Sequence, residues 1–204
     1  MRNFLLSLLG ILLFPIYSEA QKLENYDVIL DKKVYKSYYS CSIKAPSFVI
    51  YKLYHGGGKS SRKGMRFTGK YPHYNYLRSG YDKGHLANAE DFAYSRNLEL
   101  LTFDYINAIP QTPELNRGTW KSFETLVRKY SQTDSIIIVC GGTDWKGLIP
   151  ERCFKIVYDL KTKKLLVSEI FNNDKSGKHT RLSEDFIKKF NYQEITKLYN
   201  SKKK

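Results

Sequence analysis

The chain has 204 residues, 42% of them hydrophobic, enough for one domain with a full core, and no linker or internal repeat marks a second. Its formal net charge of +14 suits polyanionic partners such as nucleic acid, anionic lipid or acidic polysaccharide, and charge alone does not choose among them. Three cysteines permit at most one intramolecular disulfide, and no Cys/His cluster has zinc-ligand spacing, so neither a disulfide scaffold nor a zinc module is expected.

Residues 1–20 read as a secretory signal. Arg2 is a short basic region, Phe4 to Tyr17 an apolar core broken by Gly10 and Pro15, and Ser18-Glu19-Ala20 places small residues where a signal peptidase reads. The apolar run is short for a membrane span; an uncleaved anchor is the alternative. Cleavage leaves 184 residues (21–204), and the charge stays at +14 because Arg2 and Glu19 cancel. The expected location is secreted or periplasmic.

Tyr26–Leu30, Val34–Ser40 and Phe48–Tyr54 are rich in Tyr, Val and Ile and read as strands. Gly56-Gly57-Gly58-Lys59-Ser60 fails as a phosphate-binding loop, because Leu53 stands where the first glycine is needed; a flexible basic loop is expected. From Arg62 to Arg78 cations and rings interleave. That pattern suits phosphate contacts and base stacking, and equally a solvated loop whose tyrosines pack on the sheet. Thr112-Pro113-Glu114 starts a helix, with Trp120, Phe123, Val127 and Tyr130 recurring on its apolar face.

Ile136–Val139 reads as a strand, followed by a Gly/Trp loop and a strand pair, Cys153–Leu160 and Leu165–Phe171, turning at Lys161–Lys164. Cys140 and Cys153 lie on apolar runs that pair across that loop and are the first choice for a disulfide; all three cysteines could equally be buried and reduced. Ser183 caps a helix through Phe190, and Lys202-Lys203-Lys204 is a solvated tail. The elements add up to an α+β domain around an antiparallel sheet.

The chemistry concentrates between Ser79 and Arg128. Hydrolysis of a phosphodiester needs a base for water, a cation at the leaving oxygen and positive charge around phosphorus. His85, in Ser79-Gly80-Tyr81-Asp82-Lys83-Gly84-His85-Leu86, is the natural base, with Gly84 allowing a tight turn and Asp82 and Lys83 flanking it. Asn116, Trp120, Glu124 and Arg128 are spaced by four, and each step of four rotates about 40° around a helix. Glu124 and Arg128 therefore fall close together at the edge of the apolar face. Asn116 in the first turn offers a neutral oxygen fit for Mg²⁺ that keeps most of its waters. The plainer readings are a structural histidine, a capping Asn116, a surface Glu124–Arg128 ion pair and an Asn107 that only bonds backbone before Pro110.

Ser-Gly-Tyr-Asp-Lys-Gly-His-Leu, then Asn107-Ala108-Ile109-Pro110-Gln111, then Asn116-x-Gly118-x-Trp120 with Glu124 and Arg128, resembles the DNA/RNA non-specific endonuclease family of ββα-metal nucleases. The likeness runs from about Arg62 to Tyr130, and the later strands and the Ser183 helix resemble the family's second half. It implies a ββα-metal fold, with a central antiparallel sheet flanked by helices, and cleavage of DNA and RNA alike. By motif position His85 would be the general base, Asn116 the direct Mg²⁺ ligand (Mn²⁺ or another divalent ion substituting), and Glu124 the holder of metal-bound water. Asn107 would position the site and Arg128 would stabilise the phosphorane-like state. An upstream arginine on the phosphate is Arg62 or Arg66, and Lys83, Arg66, Arg78 and Arg117 are the expected nucleic-acid contacts.

Two departures stand out. Lys83 replaces the arginine commoner before the glycine, and Ala87-Asn88 replaces Ala-Pro. DNA and RNA are the expected partners, a homodimer is allowed, and no membrane span remains once the signal is removed. A scaffold that binds nucleic acid without cutting it, and a polyanion-adhesive surface protein, are the competing readings.

Overall fold

Two antiparallel sheets organise the computed structural model, which describes residues 26–201. Strands β1 (Val28–Asp31), β2 (Lys36–Ser40) and β3 (Ala45–Leu53) form a meander. A long loop then leads to β4 (Asp82–His85), a 3-10 turn Ala89–Phe92, helix α1 (Arg96–Leu101) and β5 (Ala108–Gln111), which pairs with β4 apart from the main sheet. A π turn, Leu115–Thr119, opens into α2 (Trp120–Tyr130). The main sheet resumes with β6 (Ile136–Lys146), β7 (Ile149–Asp159), β8 (Leu165–Asn172) and β9 (His179–Arg181), and α3 (Glu184–Lys189) and α4 (Tyr192–Asn200) end the described chain. The order across the sheet is β1-β2-β3-β6-β7-β8-β9.

Both faces of this sheet are buried, which explains why Ile136–Cys140 is apolar without alternation. Side chains still alternate between faces. Val49, Tyr51, Ile136, Ile138, Cys140, Cys153 and Val157 join Trp120, Phe123 and Val127 of α2 in one core. Phe48, Ile50, Ile137, Val139, Phe154 and Ile156 join Phe190, Ile195 and Leu198 of the C-terminal helices in the other. Truncating an anchor such as Trp120 or Phe154 would cost about 3–5 kcal/mol. Lys155 interrupts the first core: it lies between Cys153 and Val157 on the α2 side and is fully buried.

Several expectations need correction. The Gly/Trp segment is no open loop: β6 and β7 continue through Trp145↔Pro150 and Lys146↔Ile149 to a tight turn at Gly147, whose φ is 61°. Gly141 allows this close packing, since a Cβ there would sit 2.2 Å from Ser47 O. The cysteines are all free. Cys140 is paired with Lys155 and Cys153 with Gly142, so the two thiols are diagonal rather than opposite. Diagonal Cα atoms are about 7–8 Å apart, beyond the range of about 4.4–6.8 Å that a disulfide spans. Cys140 Sγ instead donates to Leu86 O at 3.1 Å.

Ser183 does cap α3, accepting from Phe186 N at 3.3 Å. Helix α4 was not anticipated; Asn191 caps it by accepting from Glu194 N, and Ile195 and Leu198 face the core. The signal read at residues 1–20 and the Lys202–Lys204 tail lie outside the described residues. Among the described residues no helix is long and apolar enough to cross a membrane.

Candidate active site

The β4–β5 pair carries His85 and is braced from both sides. Gly84 sits opposite Ile109, and a Cβ on it would meet Gln111 Oε1 at 2.1 Å. The glycine leaves room for the buried Gln111 side chain, and its φ is not positive, so no tight left-handed turn is made there. Just after His85, Leu86 N donates to Asn107 O at 2.9 Å. The Asn107 side chain accepts from Ala87 N at 2.8 Å and donates to Ala87 O at 2.9 Å and Thr102 O at 3.0 Å. Buried and fully engaged, Asn107 is a backbone strut for the strand end that presents His85.

The His85 ring packs against Phe67 and Phe103, with centroids 4.6 Å and 4.8 Å away. Its Nε2 is sealed from solvent with no hydrogen-bond partner, so the imidazole meets the cleft through Nδ1. Burial, with the Arg62 charge adding to it, pushes the imidazole down to about 3, and the ring is neutral at ordinary pH.

His85, Asn116, Glu124 and Arg62 line one cleft of about 340 Å³. Asn116 reaches it differently from what regular spacing implies. The π turn and a kink at Gly118 (φ −105°, ψ −109°) break the four-residue ladder before α2 begins, a device common at functional sites. Asn116 Nδ2 donates to Asp82 Oδ2 at 3.0 Å, which leaves Oδ1 as the open end of the carboxamide. Asp82 also accepts from Arg117 Nε at 2.7 Å and Nη2 at 2.6 Å. Burial pushes the Asp82 carboxyl up, but hydrogen bonds from Arg117 and Asn116 outweigh it and hold the group below its ordinary value.

Glu124 and Arg128 are not the surface pair of the plainer reading. Glu124 is buried, with Lys155 Nζ 3.6 Å from its Oε1. Burial raises its carboxyl to about 7, against the pull of Lys155 and with a push from Asp91. Arg128 gives Nε to Asp91 Oδ1 at 2.9 Å and lies 3.5 Å from Glu90 through Nη2. Asp91 is buried, also accepts from Tyr51 OH at 3.0 Å, and is raised by burial against the opposing pull of Arg128.

Of the two upstream arginines, Arg62 lines the cleft and gives Nε to the buried Glu99 at 3.1 Å, whereas Arg66 is exposed outside the lining. Lys83 lies over the Tyr76 ring, 5.5 Å from its centroid, and Arg78 stands exposed with φ 53°; neither lines the cleft. Arg117 lines it while paired to Asp82.

The glycine run ahead of Arg62 is pinned rather than loose. Gly57 N donates to Asp91 O at 3.1 Å and Ser60 N to Ala93 O at 3.0 Å, and a Cβ on Gly58 would fall 2.2 Å from the Ala93 carbonyl. Sequence reasoning missed Asp91, Glu99, Glu90 and Lys155. Only Lys155 carried a local signal, as a lone charge inside an apolar strand.

No group of three or more His, Cys, Asp or Glu side chains that could hold a metal ion occurs among the described residues. The donors present fit a hard ion that keeps most of its water: one open carboxamide oxygen on Asn116 and a recessed carboxylate on Glu124.

The sequence profile described as DNA/RNA non-specific endonuclease matches residues 14–198. A protein named "Nuclease" from Nostoc sp. is 38% identical over 90 residues, 40% of this chain and 33% of its own. "Endonuclease G, mitochondrial" from Bos taurus is 37% identical over 68 residues, 33% of this chain and 23% of its own. This chain thus spans about a third or less of the length of these curated relatives. Among solved structures, "Crystal structure of the EndoG/EndoGI complex: Mechanism of EndoG inhibition" matches with a TM-score of 0.62 at 21% identity, covering 72% of this chain and 74% of that one. That likeness establishes the α+β ββα-metal fold, and the profile match settles the membership: the chain belongs to the DNA/RNA non-specific endonuclease family.

Proposed function

We propose that this chain is an exported, Mg²⁺-dependent endonuclease that hydrolyses phosphodiester bonds of DNA and RNA with little sequence or sugar preference. The observation that carries the reading is the convergence of His85, Asn116, Glu124 and Arg62 on one cleft. A neutral imidazole there takes a proton from water through Nδ1. Its low proton affinity rises when a phosphate's negative charge arrives beside Arg62 and offsets that cation. Asn116, oriented by Asp82, would hold the metal ion through Oδ1, and Glu124 would accept from the ion's water. The bound ion supplies positive charge at the leaving oxygen. Arg62 and Arg128 neutralise charge gained at phosphorus, while Asn107 fixes the strand end. Export rests on residues 1–20, which the mass of the released protein tests.

The deciding experiment incubates the purified chain with plasmid DNA and with RNA, in Mg²⁺ and in chelator. Cleavage of both that chelation stops, and that His85→Ala lowers by about 10²–10⁴-fold, is the expected result. Wild-type-like cleavage by His85→Ala would refute the assignment of the base. Retention of both nucleic acids without cleavage in Mg²⁺ or Mn²⁺ would indicate a binding protein on a nuclease scaffold.

A further inference from the structure

Arg62, which lines the cleft, and Arg128, which lies behind the cleft-lining Glu90, are anchored in the same manner. Arg62 gives Nε to Glu99 at 3.1 Å and Arg128 gives Nε to Asp91 at 2.9 Å, and both anchoring carboxylates are buried. The Nη2 ends of both guanidinium groups turn instead to a shared third partner. Glu90 Oε2 lies 3.5 Å from Arg128 Nη2 and 3.9 Å from Arg62 Nη2. These separations are too long for good hydrogen bonds, and Arg128 Nη2, sealed from solvent, has no hydrogen-bond partner.

The short hydrogen bonds of Glu90 are made by its backbone, and its carboxylate has only the two long ion pairs. Asn88 Oδ1 accepts from Glu90 N at 2.7 Å, while the side chain is 48% exposed and lines the cleft beside His85 and Asn116. A loosely held carboxylate between two firmly held guanidinium groups stands where the oxygens of a phosphate would bridge them.

We propose that Glu90 is a resident, displaceable anion of the phosphate subsite, competing with phosphate esters for the Nη2 ends of Arg62 and Arg128. It weakens the grip on substrate and product alike, and so sets affinity and speeds release. This rests on the reading of Arg62 and Arg128 as phosphate contacts.

The test is Glu90→Gln, which keeps the shape and removes the charge at an exposed position. Inorganic phosphate binding to the full chain is measured by calorimetry in metal-free buffer, alongside KM and kcat on a DNA duplex in Mg²⁺. The expected result is phosphate binding tighter by about three- to tenfold, with KM falling by a similar factor. Unchanged phosphate affinity overturns the proposal. Weaker affinity also overturns it, by showing that Glu90 serves to align the arginines. Tighter phosphate binding in a chain that cleaves nothing would uphold the subsite and remove only the nuclease reading.

Discussion

Lys155→Met isolates the least expected charge in the protein. The lysine is fully buried, its Nζ lies 3.6 Å from Glu124 Oε1 and 4.4 Å over the Trp120 ring, and its charge also pulls on the buried Asp91 carboxyl. At that separation the attraction is about 5 kcal/mol with an effective dielectric of about 20. Even with Lys155 present, burial lifts Glu124 from 4.5 to about 7, so the ionised carboxylate already costs the fold about 3 kcal/mol above that pH. The sign follows directly. A carboxyl raised in the fold penalises stability where it is charged, and the penalty is relieved as pH falls from about 7 toward the ordinary value.

Removing the lysine raises Glu124 further and enlarges the alkaline penalty, to a loss of about 3–5 kcal/mol at pH 8. At pH 5 Glu124 is protonated in both proteins, and methionine then replaces a buried ammonium with a matching apolar chain. The loss there should be much smaller, limited to the pull Lys155 exerts on the buried Asp91 carboxyl. Urea unfolding of metal-free protein at the two pH values measures the difference. Equal destabilisation at pH 5 and pH 8 would refute the reasoning.

Asn107→Ala should lower stability by about 2–4 kcal/mol in the same urea experiment, because it strips three side-chain hydrogen bonds from Ala87 and Thr102. The loss should appear in kcat more than in KM, since the strand end bearing His85 loosens. Gly84→Ala should cost about 1–3 kcal/mol by thrusting a methyl group into Gln111, and a second change, Gln111→Ala, should recover part of it. In native protein Cys41 should alkylate, while Cys140 and Cys153, buried and pushed up to about 12, should react only after denaturation; mass spectrometry of the labelled chain reports both counts.

The parts of the site legible in the sequence are those whose partners lie nearby or whose residue type is itself the chemistry. His85 after its glycine, Asn116 at a helix start and the α2 apolar face are of this kind. The spacing puts Glu124 and Arg128 at the edge of that face, whereas Glu124 is buried with it, and their ion-pair partners are not visible in the sequence. Arg128 meets Asp91 and Arg62 meets Glu99, each 37 residues away, and no periodicity encodes contacts made by folding back. The π turn was hidden because one glycine, Gly118, shifts the register of a ladder that otherwise counts evenly by four. The long β6–β7 hairpin was hidden because Gly141-Gly142 looked like a break, when it is a close approach to β3 and Pro150. Helix α4 is short, and its local cues are the Asn191–Glu194 cap and the helical spacing of Tyr192, Ile195, Leu198 and Tyr199.

The glycine run pressed against Ala93 has an architectural consequence. It makes the mouth of the cleft part of the frame, fixing the backbone that leads to Arg62. Thr68 is likewise tied down, donating to Phe103 O at 3.1 Å and accepting from Tyr105 N at 2.9 Å. The Tyr-rich stretch that follows is fastened as well: Tyr39 OH donates to Pro72 O, and His73 and Tyr76 stack on Tyr105. Because Tyr105 also packs on Phe67, the ring that abuts His85, exchanges in that stretch reach the site through a continuous stack of rings.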